Sequence, residues 1–260
     1  MNNNIKAIFF DIDGTLVSFR THCIPPDTVK TLDKLRQNGI RLFIASGRHF
    51  ISINNLGDQQ FDGFVTINGG ITLVDNQIID RHSIDAEQIR KMNRYMREVR
   101  SMPCVYVLED RLLMNYSNAL AQQLFDLINF PVPPIGDLGS VEDEAVYQMI
   151  AFFAPHEEHE IMSMLDGCNA ARWSPLFADV VPKGTSKVLG IEAIMRHFNL
   201  SRDNIMAFGD GGNDIEMLRY AHIGVAMGNA EQEVKAAADF VTTAVDDGGV
   251  AHAVEVLLNI

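Results

Sequence analysis

Several residues able to do chemistry stand directly behind short apolar runs. Asp11 and Asp13 follow Ile5 to Phe10, Ser46 and Arg48 follow Ile40 to Ala45, and Asp210, Asn213 and Asp214 follow Ile205 to Phe208. A short apolar run closed by a turn residue reads as a strand buried in a parallel sheet. In open parallel sheets, ligands bind beyond the carboxyl ends of the strands. A single aspartate there is ordinarily a turn residue or a helix cap. Four carboxylates brought to one sheet edge repel each other and need a cation to hold them together, and hard oxygen donors suit Mg2+. A carboxylate immediately after a buried strand is rigidly placed. Asp13, two residues on, can face the same cavity because Gly14 lets the chain turn.

The elements that must position these residues are legible in the pattern. Pro25-Pro26-Asp27 opens a helix with Val29, Leu32 and Leu35 on one face, closed by Gly39. Phe64 to Ile67 reads as a further strand, ending at Asn68-Gly69-Gly70. In the last third, Ser186 to Phe198 is predicted as a helix, Ile205 to Phe208 and Ile223 to Met227 as strands, Glu231 to Ala238 as a helix and Phe240 to Thr242 as strand-like, with a terminal helix from about Gly249. Alternating strands and helices indicate a parallel α/β sheet. The middle differs. Asp85 to Arg100 is an amphipathic helix with Ile89, Met92, Met96 and Val99 on one stripe. Cys104 to Leu108 and Arg111 to Asn115 read as a hairpin, Ala119 to Asn129 as a helix, Tyr147 to Phe153 as a strand and His156 to Leu165 as a helix. We therefore expect an α/β, Rossmann-like parallel-sheet core, residues 1–82 and 184–260, interrupted by an α+β insert, residues 83–183.

Bulk properties exclude some classes. The formal net charge is −13 over 260 residues, the wrong sign for sequence-independent grip on nucleic acid or an anionic membrane. A local cluster of cations, backbone amides or a metal can still admit one small anion. Hydrophobic residues make up 47%, enough for a real core. Cys23, Cys104 and Cys168 fit neither a disulfide framework nor a C-x-x-C site. No signal peptide and no membrane span is expected, so the expected location is the cytoplasm.

Phe9-Phe10-Asp11-Ile12-Asp13-Gly14-Thr15-Leu16-Val17 resembles the D-x-D-G-T signature of the haloacid dehalogenase (HAD) superfamily. Ser46-Gly47-Arg48 resembles its second motif, a lysine before a helix its third, and Gly209-Asp210-Gly211-Gly212-Asn213-Asp214 its fourth. Pro182-Lys183-Gly184-Thr185-Ser186-Lys187, the run Gly209 to Leu218 and Gly224 to Ala230 are similar to the Cof-type branch. That resemblance implies a C2-type (C2B-like) cap for the insert and phosphoryl transfer through an aspartyl-phosphate. It implies Asp11 as nucleophile and Asp13 as acid and base. Mg2+ would be held by Asp11, the Asp13 carbonyl and Asp210, with Asp214 in support. Ser46 and the Gly47 backbone would bind phosphate, and Lys187 would supply a fixed positive charge.

Other candidates are open at this level. Aligning on the helix that follows favours Lys187 over Lys183 for the third motif; Lys183, then a neighbour at the cap hinge, stays a candidate phosphate or substrate ligand. A lysine at a helix start opposes the helix dipole, so a local anion is the economical explanation for Lys187. Arg48 could reach a substrate anion. Asn213 is a candidate phosphate ligand. Asn68 is a candidate substrate ligand or a turn residue tolerating a left-handed conformation. His156-Glu157-Glu158-His159-Glu160 lacks the H-E-x-x-H pattern and reads as an acidic helix start. Arg172, Trp173, Phe177 and Asp179 could line the cap face or pack within the cap. The expected function is a Mg2+-dependent phosphatase acting on small phosphorylated metabolites, sugar phosphates first among them. The alternatives are a phosphomutase or phosphotransferase, and a non-catalytic phospho-receiver or phosphate sensor. Oligomeric state is not legible in the sequence.

Overall fold

The computed structural model describes residues 4–127 and 130–260, except for the side chains of Leu127 and Trp173. The chain begins with β1 (Ala7–Phe10), α1 (Pro26–Gln37), β2 (Arg41–Ala45), β3 (Gly63–Thr66), β4 (Ile71–Val74) and β5 (Gln77–Arg81). It continues through α2 (Ala86–Glu98), β6 (Cys104–Val107), β7 (Leu112–Met114), α3 (Ala119–Leu127), β8 (Gln148–Ala151), α4 (Glu158–Met164), β9 (Cys168–Ser174) and β10 (Phe177–Pro182). It ends with α5 (Lys187–Phe198), β11 (Ile205–Gly209), α6 (Ile215–Tyr220), β12 (Ile223–Ala226), α7 (Gln232–Lys235), β13 (Phe240–Val241) and α8 (Gly249–Leu258). Two units result: the chain through Arg81 together with Ser186–Ile260, and His82–Thr185.

In the first unit the strands form one sheet in the order β13-β12-β11-β1-β2-β3-β4-β5. Every pairing from β13 to β3 is parallel, and β4 and β5 extend the sheet antiparallel. β1 is central, and all four of its residues are fully buried, as a parallel strand covered on both faces requires. Its side chains alternate between two cores. Ile8 and Phe10 join Leu42, Ile44, Met206 and Phe208 beneath Leu32 and Leu35 of α1 and Val250 and Val254 of α8. Ala7 and Phe9 join Phe43 and Ala207 beneath Ile191 and Ile194 of α5 and Met217 and Leu218 of α6. Phe10 stacks on Phe208 at 5.1 Å and Phe9 on Phe43 at 4.9 Å, locking β1 to both neighbours. The chain runs from β1 outward through β2 and β3, then returns to β11 on the other side, so the strand order reverses at β1. That is the switch point at which a doubly wound sheet opens a crevice.

The inserted unit is an antiparallel sheet in the order β7-β6-β8-β10-β9. Ile89, Met92 and Met96 of α2 pack on its Cys104, Tyr106, Met149, Ala151, Ala178 and Val180 face. α2 starts where the Asp85 side chain accepts from the Glu87 N–H at 2.8 Å. Asn93 is fully buried yet satisfied. The Tyr106 hydroxyl donates to it, and its own amide donates to the Leu138 carbonyl at 2.9 Å and Glu142 at 3.1 Å.

Some expected elements differ. Ile67 leaves the strand and turns at φ 53°, followed by Asn68 at φ 51°. The helix expected over Glu231–Ala238 is the single turn α7. A 3-10 turn over Pro155–Glu157 precedes α4, with the Glu157 carboxylate accepting from the Ala154 N–H at 2.7 Å. Residues 128 and 129, expected to end a helix, lie outside the described residues, as does the side chain of Trp173. The β4–β5 hairpin, unanticipated, turns on Asp75 and Asn76 at φ 51° and 59°, the left-handed pair a tight hairpin needs.

Candidate active site

The loop behind β1 is held by its own backbone. The Asp11 N–H donates to the Phe208 carbonyl at 3.0 Å, so the ladder with β11 runs one residue past the strand. The Ile12 carbonyl accepts from Leu16 at 3.0 Å and Val17 at 2.7 Å, and the Gly14 N–H closes onto the Val17 carbonyl at 2.9 Å. Gly14 sits at φ +88°, where a Cβ would lie 2.2 Å from Asp210 Oδ2. Both the backbone angle and the space demand glycine there.

Lys187, the first residue of α5, is fully buried and bonds two carboxylates. Its Nζ donates to Asp11 Oδ1 and to Asp214 Oδ1, each at 2.6 Å. These anions offset the cost of an ammonium at a helix N-terminus. Asp214 is fully buried too, and its other oxygen accepts from the Asp210 N–H at 2.9 Å and the Gly211 N–H at 2.8 Å. A Cβ at Gly209 would fall 2.4 Å from the Asp214 Cβ, so glycine is what admits this carboxylate behind the loop. Asp210 accepts from the Thr15 hydroxyl at 2.8 Å on Oδ1 and from the Asn229 amide at 3.1 Å on Oδ2. One carboxylate oxygen from each of Asp11, Asp210 and Asp214 lies within 4.8 Å of the others.

The electrostatics follow from burial and crowding. Burial pushes the Asp11 carboxyl up to about 8; Lys187 opposes this, while Asp214 and Asp210 add to it. Burial also pushes Asp210 up to about 6, against the Thr15 hydrogen bond. Burial works against the charge of Lys187, but Asp11 and Asp214 outweigh it and raise its pKa. The cluster carries more negative charge than one ammonium neutralises. An all-oxygen donor set with that surplus fits Mg2+.

Asp13 is held differently. Arg48 grips both of its oxygens, Nε to Oδ2 at 2.6 Å and Nη2 to Oδ1 at 2.8 Å. The two side chains are 27% and 32% exposed, so this clamp is at the rim. The guanidinium expected to reach a substrate anion thus has an intramolecular partner, Asp13. Ser46 is buried, and its Oγ accepts from the Arg48 N–H at 3.2 Å. Gly47 faces Asn68, and a Cβ there would stand only 3.2 Å from Asn68 Nδ2. Asn68 is indeed left-handed, and its side-chain Oδ1 accepts from Asn213 Nδ2 at 2.9 Å. Lys183 lies in the inserted unit, exposed, with its backbone N–H on the Gly167 carbonyl at 3.0 Å. Thr15 and Asn229 escaped the sequence reading, although Thr15 closes the D-x-D-G-T run and Asn229 sits at a strand end like the other candidates.

The model of the haloacid dehalogenase-like hydrolases matches residues 8–254. The chain belongs to this family. It is similar to YkrA of Bacillus subtilis, a protein that carries a phosphatase name, at 34% identity over 97% of both chains. Among solved structures it is similar to the HAD subclass IIB sugar phosphatase BT4131, with 40% identity, 98% of this chain and 100% of that chain covered, and a TM-score of 0.90. The phosphatase BT1666 of Bacteroides thetaiotaomicron gives 36% identity, 98% and 96% coverage and a TM-score of 0.90. The α/β core with its parallel-rich sheet is the haloacid dehalogenase fold in its Cof-type branch. The enzyme is a phosphatase, and its substrate is a phosphorylated small molecule.

Proposed function

We propose that this enzyme is a Mg2+-dependent phosphatase of small phosphorylated metabolites, sugar phosphates foremost, working through a phosphoryl group carried on Asp11. The observation that carries the reading is the three-carboxylate cluster tied to the fully buried Lys187. Asp11 Oδ1 is occupied by Lys187, and Oδ2 has no hydrogen-bond partner among the described residues, which leaves one nucleophilic oxygen on a fixed carboxylate. Attack by Oδ2 on phosphorus forms an Asp11–phosphate bond as the bond to the leaving oxygen breaks. Asp13 gives the leaving oxygen its proton, then takes one from the water that attacks the same phosphorus and frees Asp11. In the resting enzyme Arg48 donates to both Asp13 oxygens; the arriving phosphate monoanion displaces the guanidinium and hands Asp13 the proton that it passes to the leaving oxygen. Lys187 holds positive charge beside the reacting oxygens throughout. The Ser46 hydroxyl and the Gly47 N–H would bind a phosphate oxygen, with Asn213 oriented by Asn68. Asp11, the Asp13 carbonyl and Asp210 would hold Mg2+, with Asp214 behind them. Bound there, the ion offsets the repulsion between a phosphate dianion and the nucleophile.

The sugar preference is supported by the similarity to the sugar phosphatase BT4131. The inserted unit, residues 83–183 by the sequence reading, is proposed as the cap that selects the leaving group. Its Arg172 and Phe177 pack inside that unit: Arg172 donates to the Phe153 and Phe177 carbonyls at 3.0 and 2.8 Å and pairs with Glu158 at 3.0 Å, and Phe177 lies against Phe152 at 5.6 Å. The acidic run beginning at His156 is likewise absorbed by pairing, Glu157 with Arg100 and Glu160 with Tyr95. A cytoplasmic location is supported by three free thiols, Cys23 exposed and Cys104 and Cys168 buried. Among the described residues no helix is long and apolar enough to cross a membrane. The test is a steady-state panel of phosphorylated metabolites with and without Mg2+. Release of inorganic phosphate from sugar phosphates, abolished by EDTA, is the expected result. Isomerised sugar phosphate without free phosphate would replace hydrolysis by a mutase.

A further inference from the structure

The side chain of Asn229 ties together three loops at the sheet edge. Its Nδ2 donates to the Gly14 carbonyl at 2.9 Å and to Asp210 Oδ2 at 3.1 Å, and its Oδ1 accepts from the Val245 N–H at 2.9 Å. The partners dictate this orientation, because a backbone carbonyl and a carboxylate accept and a backbone N–H donates. Backbone geometry brings the amide in. Past β12, the Met227 N–H donates to the Gly209 carbonyl at 3.0 Å and the Gly228 N–H to the Thr243 carbonyl at 2.9 Å. A Cβ at Gly228 would stand 2.6 Å from the Ala244 nitrogen, so any other residue would push Asn229 away from its partners.

Asp210 is consequently gripped on both oxygens, by Thr15 on one and Asn229 on the other. Asn229 also pins Asp210 to the loop that carries Asp11 and Asp13, through the Gly14 carbonyl. A small hard cation demands near-ideal ligand geometry, and a carboxylate free to rotate about two side-chain bonds supplies it only at an entropic cost. Hydrogen bonds to a metal-binding carboxylate remove that freedom before the ion arrives.

We propose that Asn229 is a positioning residue for the metal: its amide fixes the Asp210 carboxylate relative to the Asp11–Gly14 loop, and so sets the affinity for a divalent cation. This rests on the metal-dependent reading above. The test measures Mg2+ binding directly by isothermal titration calorimetry, beside the Mg2+ dependence of turnover, in wild type, Asn229→Ala and Asn229→Ser. Partners of this kind are worth about 10- to 100-fold in metal affinity. The expected result for Asn229→Ala is Mg2+ affinity weakened by about tenfold or more, with kcat at saturating Mg2+ within about threefold of wild type. Asn229→Ser, which keeps one short donor, falls between the two. Wild-type Mg2+ affinity in both variants would overturn the proposal. Loss of folding in both would assign the amide to the fold alone and overturn it too. A wild-type protein that neither binds Mg2+ nor needs it would sink the metal-dependent reading itself, a result separate from either of these.

Discussion

Asp11 and Asp13 are two residues apart and are held in opposite ways. Asp11 is buried against an ammonium that solvent cannot reach, in a cluster of three carboxylates, two of which accept from Lys187. Asp13 stands at the rim in a bidentate pair with Arg48, both side chains about one-third exposed. The difference matches the two chemical duties proposed for them. A nucleophile gains from immobility. A group that gives and takes a proton must exchange partners with substrate and water, and a clamp at the rim can be displaced by an arriving phosphate where a buried one cannot.

The largest effect that breaks this comparison falls on the buried side. Asp11→Ala is expected to lower kcat by about 10^4-fold or more, since enzymatic phosphate-ester hydrolysis depends on large accelerations; wild-type turnover of p-nitrophenyl phosphate would refute the role. Lys187→Met leaves Asp11 and Asp214 facing each other without a counter-charge. Removing one member of a buried ion pair costs about 3–5 kcal/mol, to be read from urea unfolding in EDTA. On the rim, Arg48→Ala is expected to change stability by no more than about 1 kcal/mol, the value of an exposed pair. It is expected to lower kcat by about a hundredfold, the low end of an acid–base contribution. A large loss of stability with unchanged kcat would invert the contrast.

A separate effect, independent of any substitution, is a pH dependence of the metal-free protein. Asp210 is pushed up to about 6 and Asp11 to about 8 from a usual carboxylate value of 3.8. Between 3.8 and those values the folded protein binds more protons than the unfolded chain, so stability falls as pH rises. In EDTA the Tm is expected to drop between pH 5 and pH 8, while Mg2+ raises it most at pH 8 and releases protons on binding. A Tm in EDTA that rises across that interval would contradict the crowded, buried cluster.

Much of this was legible in the sequence, for identifiable reasons. Asp11, Asp13, Asp210 and Asp214 follow apolar strands within a few residues, and glycines at 14 and 209 mark where backbone and carboxylate approach closely. Choosing Lys187 over Lys183 required the family pattern, because nothing local states that a lysine at a helix start is buried. Asn229 carried the strand-end signal of the other candidates, but its partners Gly14, Asp210 and Val245, 215, 19 and 16 positions away, meet it only when the sheet assembles. The engagement of Arg48 with Asp13 was missed for the same reason, as the two lie 35 positions apart. The β4–β5 hairpin did carry a local signal in Asp75-Asn76, and Ile67 carried none: a β-branched residue at φ 53° is held there by its surroundings.

The central claim is that phosphate passes through Asp11. Acid quench during turnover of a sugar phosphate with Mg2+, followed by borohydride reduction and peptide mass spectrometry, tests it directly. Reduction of an aspartyl-phosphate leaves homoserine, so homoserine at position 11, dependent on both substrate and Mg2+, is the expected result. A reduced residue at any other position, or none while phosphate is being released, would contradict the account.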